Sequence, residues 1–431
     1  MGSDQTFAMA ESMGFDQMAG MGGEHIADMM GAMDHSHFEA MGSGALSDMA
    51  GSMDMGHFEA MGSDQTFAMA ESMGFDQMAG MGGEHIADMM GAMDMGQVSS
   101  IGSEHIADMM SAMDTSNFQT MGGDQTFAMV DALGLDSVMA MGAEKVADVA
   151  VGLDMGGFQA LGADQTISIV ETIGLDTVID MGGDKVADVV GALDQTNLET
   201  LGASSVADLV SAMDMSNFQS MGSEQTVAVL ETVGLESVIE MGGDKVADVA
   251  GAMDKGSFET IGAPQVVEMA SAMDQQNLAS LGDTAASGII ETLTGDQLGT
   301  LESEQLAGLA NSLDPETAPT LGSEQVSSMM SSMDVESITS VDGGVVSGMM
   351  EALPDSMIDA LGVDHQGAIL DSMGADLLGS DGSNFDTIAT AETMFDQVEI
   401  VEAVEGTQAS AAQDVFGGGD LFGSTTSPPT G

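Results

Sequence analysis

Residues 21–40 read MGGEHIADMMGAMDHSHFEA, and Ile26, Met29, Met30 and Met33 fall at i, i+3, i+4 and i+7. That spacing lays one apolar stripe along an α-helix, and the period-two alternation of a half-buried strand is absent. Gly22 ahead of the stripe suits a left-handed turn that closes the preceding helix, and Asp34 behind it suits the N-cap of a second, shorter helix. The stretch predicts helix, break and helix within twenty residues.

The same frame runs through residues 1–380 without insertion or deletion, which gives nineteen copies. The first and thirteenth positions are apolar in every copy, the second is Gly except at Glu302 and Asp342, and the eighteenth is a larger apolar residue except at Ala318. The fourteenth position is Asp in eleven copies. In six others it is Gly followed by Phe, Leu or Ala, where a Schellman-like stop is expected. Each copy reads as a helix of about ten residues and another of about six, and neither is stable alone. One copy cannot bury its own face, but stacked copies share a continuous core.

The expected fold is all-α, an α-solenoid (superhelix) of nineteen 20-residue helix-turn-helix repeats over residues 1–380. A capping helix is expected over 381–405, where Ile388, Phe395, Val398 and Val401 keep helical spacing, and a disordered Gly/Ser/Thr/Pro tail over 406–431. Pro315 and Pro319 mark the sixteenth copy as the expected bend. A longer period overlies the first. One copy with Gly at the fourteenth position is mostly followed by two with Asp, and residues 1–34 return letter for letter as 61–94. Such copying is cheap where stability is a sum over neighbours.

The chain has 431 residues, 71 acidic groups and four basic ones, all lysines, for a net charge of −67. Nucleic acid is bound by clustered Lys and Arg, so it is excluded as a partner, and anionic membrane surfaces are disfavoured on the same ground. No run of 18 apolar residues is present to span a bilayer, and the N-terminus lacks the pattern of a secretory signal. With no Cys there is neither a disulfide nor a thiolate metal site. Self-repulsion of this size calls for salt or bound cations.

Of the residue types that carry chemistry, methionine is the most abundant at 45 residues, and thioethers are soft ligands suited to copper. The positions of Met13 and Met33 are filled by Leu133, Ile173 and Val233 in later copies, which packing tolerates and ligation does not. His25, His85, His105 and His365 share the fifth position with Gln5, Gln65, Lys145, Lys185 and Lys245, which reads as a solvated helix surface. His35 and His37, beside Asp34, are the one place for a local transition-metal site. Asp28, Asp34, Asp54, Asp94 and Asp114 have counterparts in many copies, so stacking would set carboxylates in ladders about 10 Å apart. Oxygen ladders suit hard cations such as Ca²⁺ or Mg²⁺ bound at many places; the alternative is a salt-adapted surface with no defined site. No cofactor is required. No nucleophile elbow, P-loop or dinucleotide fingerprint occurs, and a tandem array repeats every surface residue, so catalysis is not expected.

Short helices with Asp at the break and an aliphatic-Gly pair at the join resemble the cytoplasmic N-terminal domain of MgtE magnesium transporters and the helical repeats of the flagellar motor switch protein FliG. The resemblance implies a right-handed superhelix and, in the transporter case, acidic groups that sense Mg²⁺. The fixed frame, the lack of Arg and the missing transporter helices depart from those families, so transport is not carried over. The acidic, Cys-free composition also resembles bacterial repeat exoproteins and adhesins. The expected function is a non-enzymatic structural or adhesive repeat protein, extracellular or at the cell surface with the cytoplasm as an alternative. It would be an acidic spacer or interaction surface for a protein or cell-surface partner, stiffened by divalent cations. An intracellular Mg²⁺/Ca²⁺ buffer or sensor and a protein-binding scaffold are the alternatives.

Overall fold

The computed structural model describes residues 2–379, with side chains through residue 374. The capping helix expected over 381–405 and the tail expected over 406–431 lie outside the described residues. Within them the chain is all-α, with thirty-six α-helices, two 3₁₀ helices and no strand. It divides between Met273 and Asp274 into two compact units built on the same plan.

The first nine helices show that plan: α1 (Ser3–Met13), α2 (Phe15–Ala19), α3 (Gly23–Met30), α4 (His35–Met41), α5 (Ser43–Ala50), α6 (Met55–Met61), α7 (Ser63–Met73), α8 (Phe75–Ala79) and α9 (Gly83–Gly91). Copies one to eighteen each supply one longer and one shorter helix, the shorter of copy sixteen being 3₁₀, whereas copy nineteen runs as the single helix Val363–Gly379 through Gly374, where the sequence predicts a stop. Packing follows a different period. α2 packs on α5, α3 on α6, α4 on α7 and α6 on α9, so three helices complete one turn of the coil and long helices meet short ones in the next turn. Starts at Gly23, Met55 and Gly83 show a turn using about 30 residues. The same register carries the second unit, where Gln275–Ala279 packs on Ser303–Asn311 and Val335–Ser340 on Val363–Gly379.

The core is the interior of this coil. Phe38, Phe58, Phe118, Phe158, Phe218 and Phe258, all at the eighteenth position, are fully buried, and so are Met30, Met69 and Met110. Methionine fills core space at the positions that Leu, Val and Ile fill in later copies. Thr66, Thr166 and Thr226 are also fully buried, and each hydroxyl donates to the carbonyl of Phe58, Phe158 or Phe218 at 3.1–3.4 Å. In copy sixteen, Pro315 and Pro319 reduce the second helix to a turn and a 3₁₀ helix, Ala318–Thr320. The stacking register still holds there, because that 3₁₀ helix packs on Gly343–Glu351 and Thr317 Oγ1 donates to Asp283 Oδ2 at 2.8 Å.

The glycine joints differ from the left-handed caps expected of them. Gly162 has φ 90° and ψ 156°, and Gly174 has φ 85° and ψ 146°, an extended region open in practice only to glycine. The chain therefore leaves one helix and enters the next in a single residue, with no Schellman turn. The exceptions fit this account. Glu302, Gly322 and Asp342 have φ of −69°, −63° and −55°, which any residue adopts, so acidic side chains are tolerated at two of these three joints.

Two substitutions separate conformation from space. A Cβ on Gly162 would meet nothing within 4 Å, yet Gly162→Ala should cost about 1–3 kcal/mol through backbone strain alone. A Cβ on Gly322 would press only on Oε1 of the flexible Gln325, and Gly322→Ala should stay within about 0.5 kcal/mol of the parent chain. Thermal unfolding followed by circular dichroism checks both, and equal losses would disprove this reading of the joints.

Candidate functional site

The polar groups that recur from copy to copy gather at the helix ends. Asp54 Oδ1 accepts the His57 N–H at 3.1 Å, Asp94 Oδ1 the Gln97 N–H at 2.9 Å, and Asp114 Oδ1 the Asn117 N–H at 3.2 Å. In return the residue at the third helical position accepts the N–H of the capping aspartate, as in Asp214 N–H to Asn217 Oδ1 at 3.0 Å. This reciprocal capping box satisfies two orphan donors at once.

A third arm ties several of these boxes to the turn before them. Asn217 Nδ2 donates to Asp184 Oδ1 at 2.7 Å, Gln97 Nε2 to Asp64 Oδ1 at 3.1 Å and Asn197 Nδ2 to Asp164 Oδ1 at 3.5 Å, each across 33 residues. His37 takes the same place. Its Nδ1 faces the Asp34 N–H at 3.3 Å, and its Nε2 lies 3.3 Å from Asp4 Oδ1. Nδ1 also lies 2.9 Å from Asp34 Oδ1, so the ring bridges the cap of its own helix and an aspartate of the preceding turn, as the asparagine amide does. The surroundings of His37 are thus those of a helix cap.

At the other helix end, the fifth position is in several copies an inter-turn donor and not the solvated surface expected from its mixture of residue types, although Gln5 and His25 are exposed. Gln125 donates to the Met93 carbonyl at 3.1 Å, Gln225 to Leu193 at 2.9 Å and Gln325 to Leu293 at 3.4 Å. His365 Nε2 lies 2.9 Å from the Met333 carbonyl. Lys145, Lys185 and Lys245 reach the carbonyls of Met113, Leu153 and Met213 in the same way. Every one of these contacts spans 32 residues. Gln, His and Lys share nothing but a long N–H donor, and that is what a carbonyl at a helix C-terminus requires. The spacing was visible in the sequence, but the 30-residue turn that gives it meaning was not.

The three lysines also pair with a carboxylate three residues on, Asp148 at 3.0 Å, Asp188 at 3.0 Å and Asp248 at 3.1 Å. In copy five the equivalent Asp88 follows His85 instead. Asp88 is 8 % exposed, and burial, reinforced by Glu84, holds its carboxyl above the ordinary carboxylate range. Asp34, Asp114 and Asp214 shift the other way, chiefly because the hydroxyls of Ser36, Ser116 and Ser216 donate to them. Their folded-state pKa is depressed, so the stability they add is present above the ordinary carboxylate range and is lost as pH falls through the lowered value. Asp88 has the opposite sign and is relieved by protonation.

Of the carboxylates expected to form a cation ladder, Asp34, Asp54, Asp94 and Asp114 therefore cap helices, and Asp28 is exposed on α3. Among the described residues no group of three or more His, Asp or Glu side chains is placed to hold a metal ion. No helix among them is long and apolar enough to cross a membrane. No protein-family model matches the chain, and no curated protein is significantly similar to it.

Asn217→Ala removes both the box and its inter-turn arm and should cost about 1–2 kcal/mol, whereas Asn217→His should recover most of that loss because His37 fills the same place. His85→Lys gives Asp88 the partner its counterparts have and should stabilise by about 0.5–1 kcal/mol at neutral pH. Both are read as unfolding midpoints, and a destabilised His85→Lys chain would contradict the equivalence of the copies.

Proposed function

We propose that the protein is a non-enzymatic structural repeat protein, an acidic solenoid that serves as a spacer or interaction surface. The observation that carries this reading is the recurrence of one set of inter-turn contacts. Fifth-position donors reach back 32 residues in copies seven, eight, ten, twelve, thirteen, seventeen and nineteen, and the capping boxes begin at Asp34. Chemistry at one site needs residues that differ from their counterparts elsewhere. Here the polar residues repeat, and their hydrogen bonds go to holding neighbouring turns together.

The same reading accounts for the duplication of residues 1–34 as 61–94. Inserting a whole 60-residue unit lengthens the array and leaves every contact at the junction intact, which suits a protein selected for reach. Its surface charge of one sign suits a salty medium, outside the cell or at its surface, where counterions screen repulsion between turns. The hydrogen-bonded caps support a coil that holds without divalent ions. A Ca²⁺ or Mg²⁺ buffer or sensor would instead fold in step with the ion it binds.

Far-UV circular dichroism in low-salt EDTA, followed by titration with CaCl₂, MgCl₂ and NaCl of matched ionic strength, distinguishes these readings. Helix already complete in EDTA, or following ionic strength alone, is the expected result. Helix that appears only at about millimolar divalent ion would replace the spacer with an ion sensor. Deleting residues 1–60 leaves a chain that opens with the same 34 residues. It should stay folded and shorten the reach of any attachment it supports, without abolishing that attachment.

A further inference from the structure

A contact across 36 residues recurs where the first residue of a short helix meets the end of a long helix in the next turn. In two turns the helix end carries glutamate and the short helix supplies a polar group: His35 Nδ1 lies 3.7 Å from Glu71 Oε2, and Gln195 Nε2 donates to Glu231 Oε2 at 3.3 Å. In three others the helix end carries glycine and the short helix supplies methionine. Met55 lies against Gly91, Met155 against Gly191 and Met215 against Gly251, and a Cβ on these glycines would fall only 3.4, 3.0 and 2.7 Å from the methionine Sδ. These contacts join α6 to α9, Met155–Leu161 to Gly183–Val190, and Met215–Met221 to Gly243–Ala250. The thioether thus fills the space a side chain would take and rests on bare backbone. All three methionines are half-buried, unlike the fully buried Met30, Met69 and Met110, so each stands partly open to solvent at the seam between turns. Met95 also begins a short helix, but the residue 36 further on is Asp131, and Met95 is 38 % exposed.

We propose that Met55, Met155 and Met215 are oxidation sites through which peroxides loosen the seams between turns. The sulfur lone pair attacks one oxygen of hydrogen peroxide, the O–O bond breaks and water leaves, so the thioether is oxidised by two electrons to the sulfoxide as the peroxide is reduced. The product is polar where the thioether was apolar. The surface it rests on is backbone already bonded within its own helix, with the Gly191 and Gly251 N–H groups donating to the Ala187 and Ala247 carbonyls at 2.8 Å. Those donors are occupied, so the sulfoxide oxygen turns to water and the side chain leaves the slot. Glycine has no side chain to close the gap, and the two turns lose their contact at that point. Met95 takes up oxygen without such a loss. The chain has no cysteine, so methionine is its only sulfur, and reduction of the sulfoxides by methionine sulfoxide reductases resets the seams. The proposal goes beyond the spacer reading and stands or fails separately from it.

The test treats the full-length chain with hydrogen peroxide at neutral pH, reads each sulfoxide by peptide mass spectrometry and reads local opening by amide hydrogen exchange. Met55, Met95, Met155 and Met215 should be oxidised several-fold faster than Met30, Met69 and Met110. Exchange should then quicken several-fold in Gly83–Gly91, Gly183–Val190 and Gly243–Ala250 and stay unchanged in Met95–Ser100. Methionine sulfoxide reductase should restore the slow exchange. A chain carrying Met55→Leu, Met155→Leu and Met215→Leu should be oxidised at Met95 as before, with no quickening at the three seams. The proposal is overturned if the three sulfurs stay thioethers while Met95 is oxidised, if they are oxidised without faster exchange, or if the leucine chain loosens at the same seams. Where the leucine chain fails to fold, the reductase decides: seams that stay fast after the three sulfoxides have been reduced overturn the proposal.

Discussion

Every α-helix leaves four N–H and four C=O groups without a partner inside the helix, and short helices consist largely of such ends. This chain is cut into helices that run mostly from five to eleven residues, so its backbone cost falls at the ends and only secondarily in the interior of each helix. The capping boxes and the fifth-position donors are the answer to that cost. Because a helix this short has few side chains of its own to spare, the donor for its last carbonyl comes from the next turn of the coil. Burial of the Phe and Met side chains drives the turns together, and these contacts fix where each turn lands.

That register reconciles two periods that do not match. The sequence repeats every 20 residues, with two helices per copy, while the coil closes after three helices. The shortest stretch that contains whole numbers of both is 60 residues, three copies and two turns. The 60-residue period in the sequence therefore coincides with a whole number of turns, two for every three copies. The alternation of Gly and Asp at the fourteenth position follows the same unit through Gly14, Gly74 and Gly134, steps once to Gly174, and resumes at Gly234.

Much of this was legible in advance. The apolar stripe through Ile26, Met29, Met30 and Met33, the glycine joints and the aspartate caps give the helices and their order, because those features act within one helix or across one break. What escaped was everything that acts across a turn. Gln125, Lys145 and His365 look interchangeable and therefore idle until Met93, Met113 and Met333 are set opposite them, and nothing local says that the partner lies 32 residues back. The surroundings of the recurring carboxylates depend on the same register. Asp54, Asp94 and Asp114 do recur in register, but the groups they face are N–H donors of their own helix and not one another.

The net charge can be understood from the same asymmetry between helix ends. Helix N-termini carry partial positive charge and favour acids, while C-termini favour cations. In this chain the N-terminal half of that rule is followed nearly everywhere, with Asp as the cap in one class of helix and an acid in the first turn of the other, as in Asp214 and Glu224. The C-terminal half is met mainly by Gln or His and by backbone joints. Lys145, Lys185 and Lys245 do bring a cation to a carbonyl at a helix end, but from the following turn. An array of many short helices capped in this way accumulates negative charge with every copy it adds. On this account part of the charge of −67 comes from the helix ends. Screening by salt then eases the approach of the turns, whether or not any cation is bound at a fixed place.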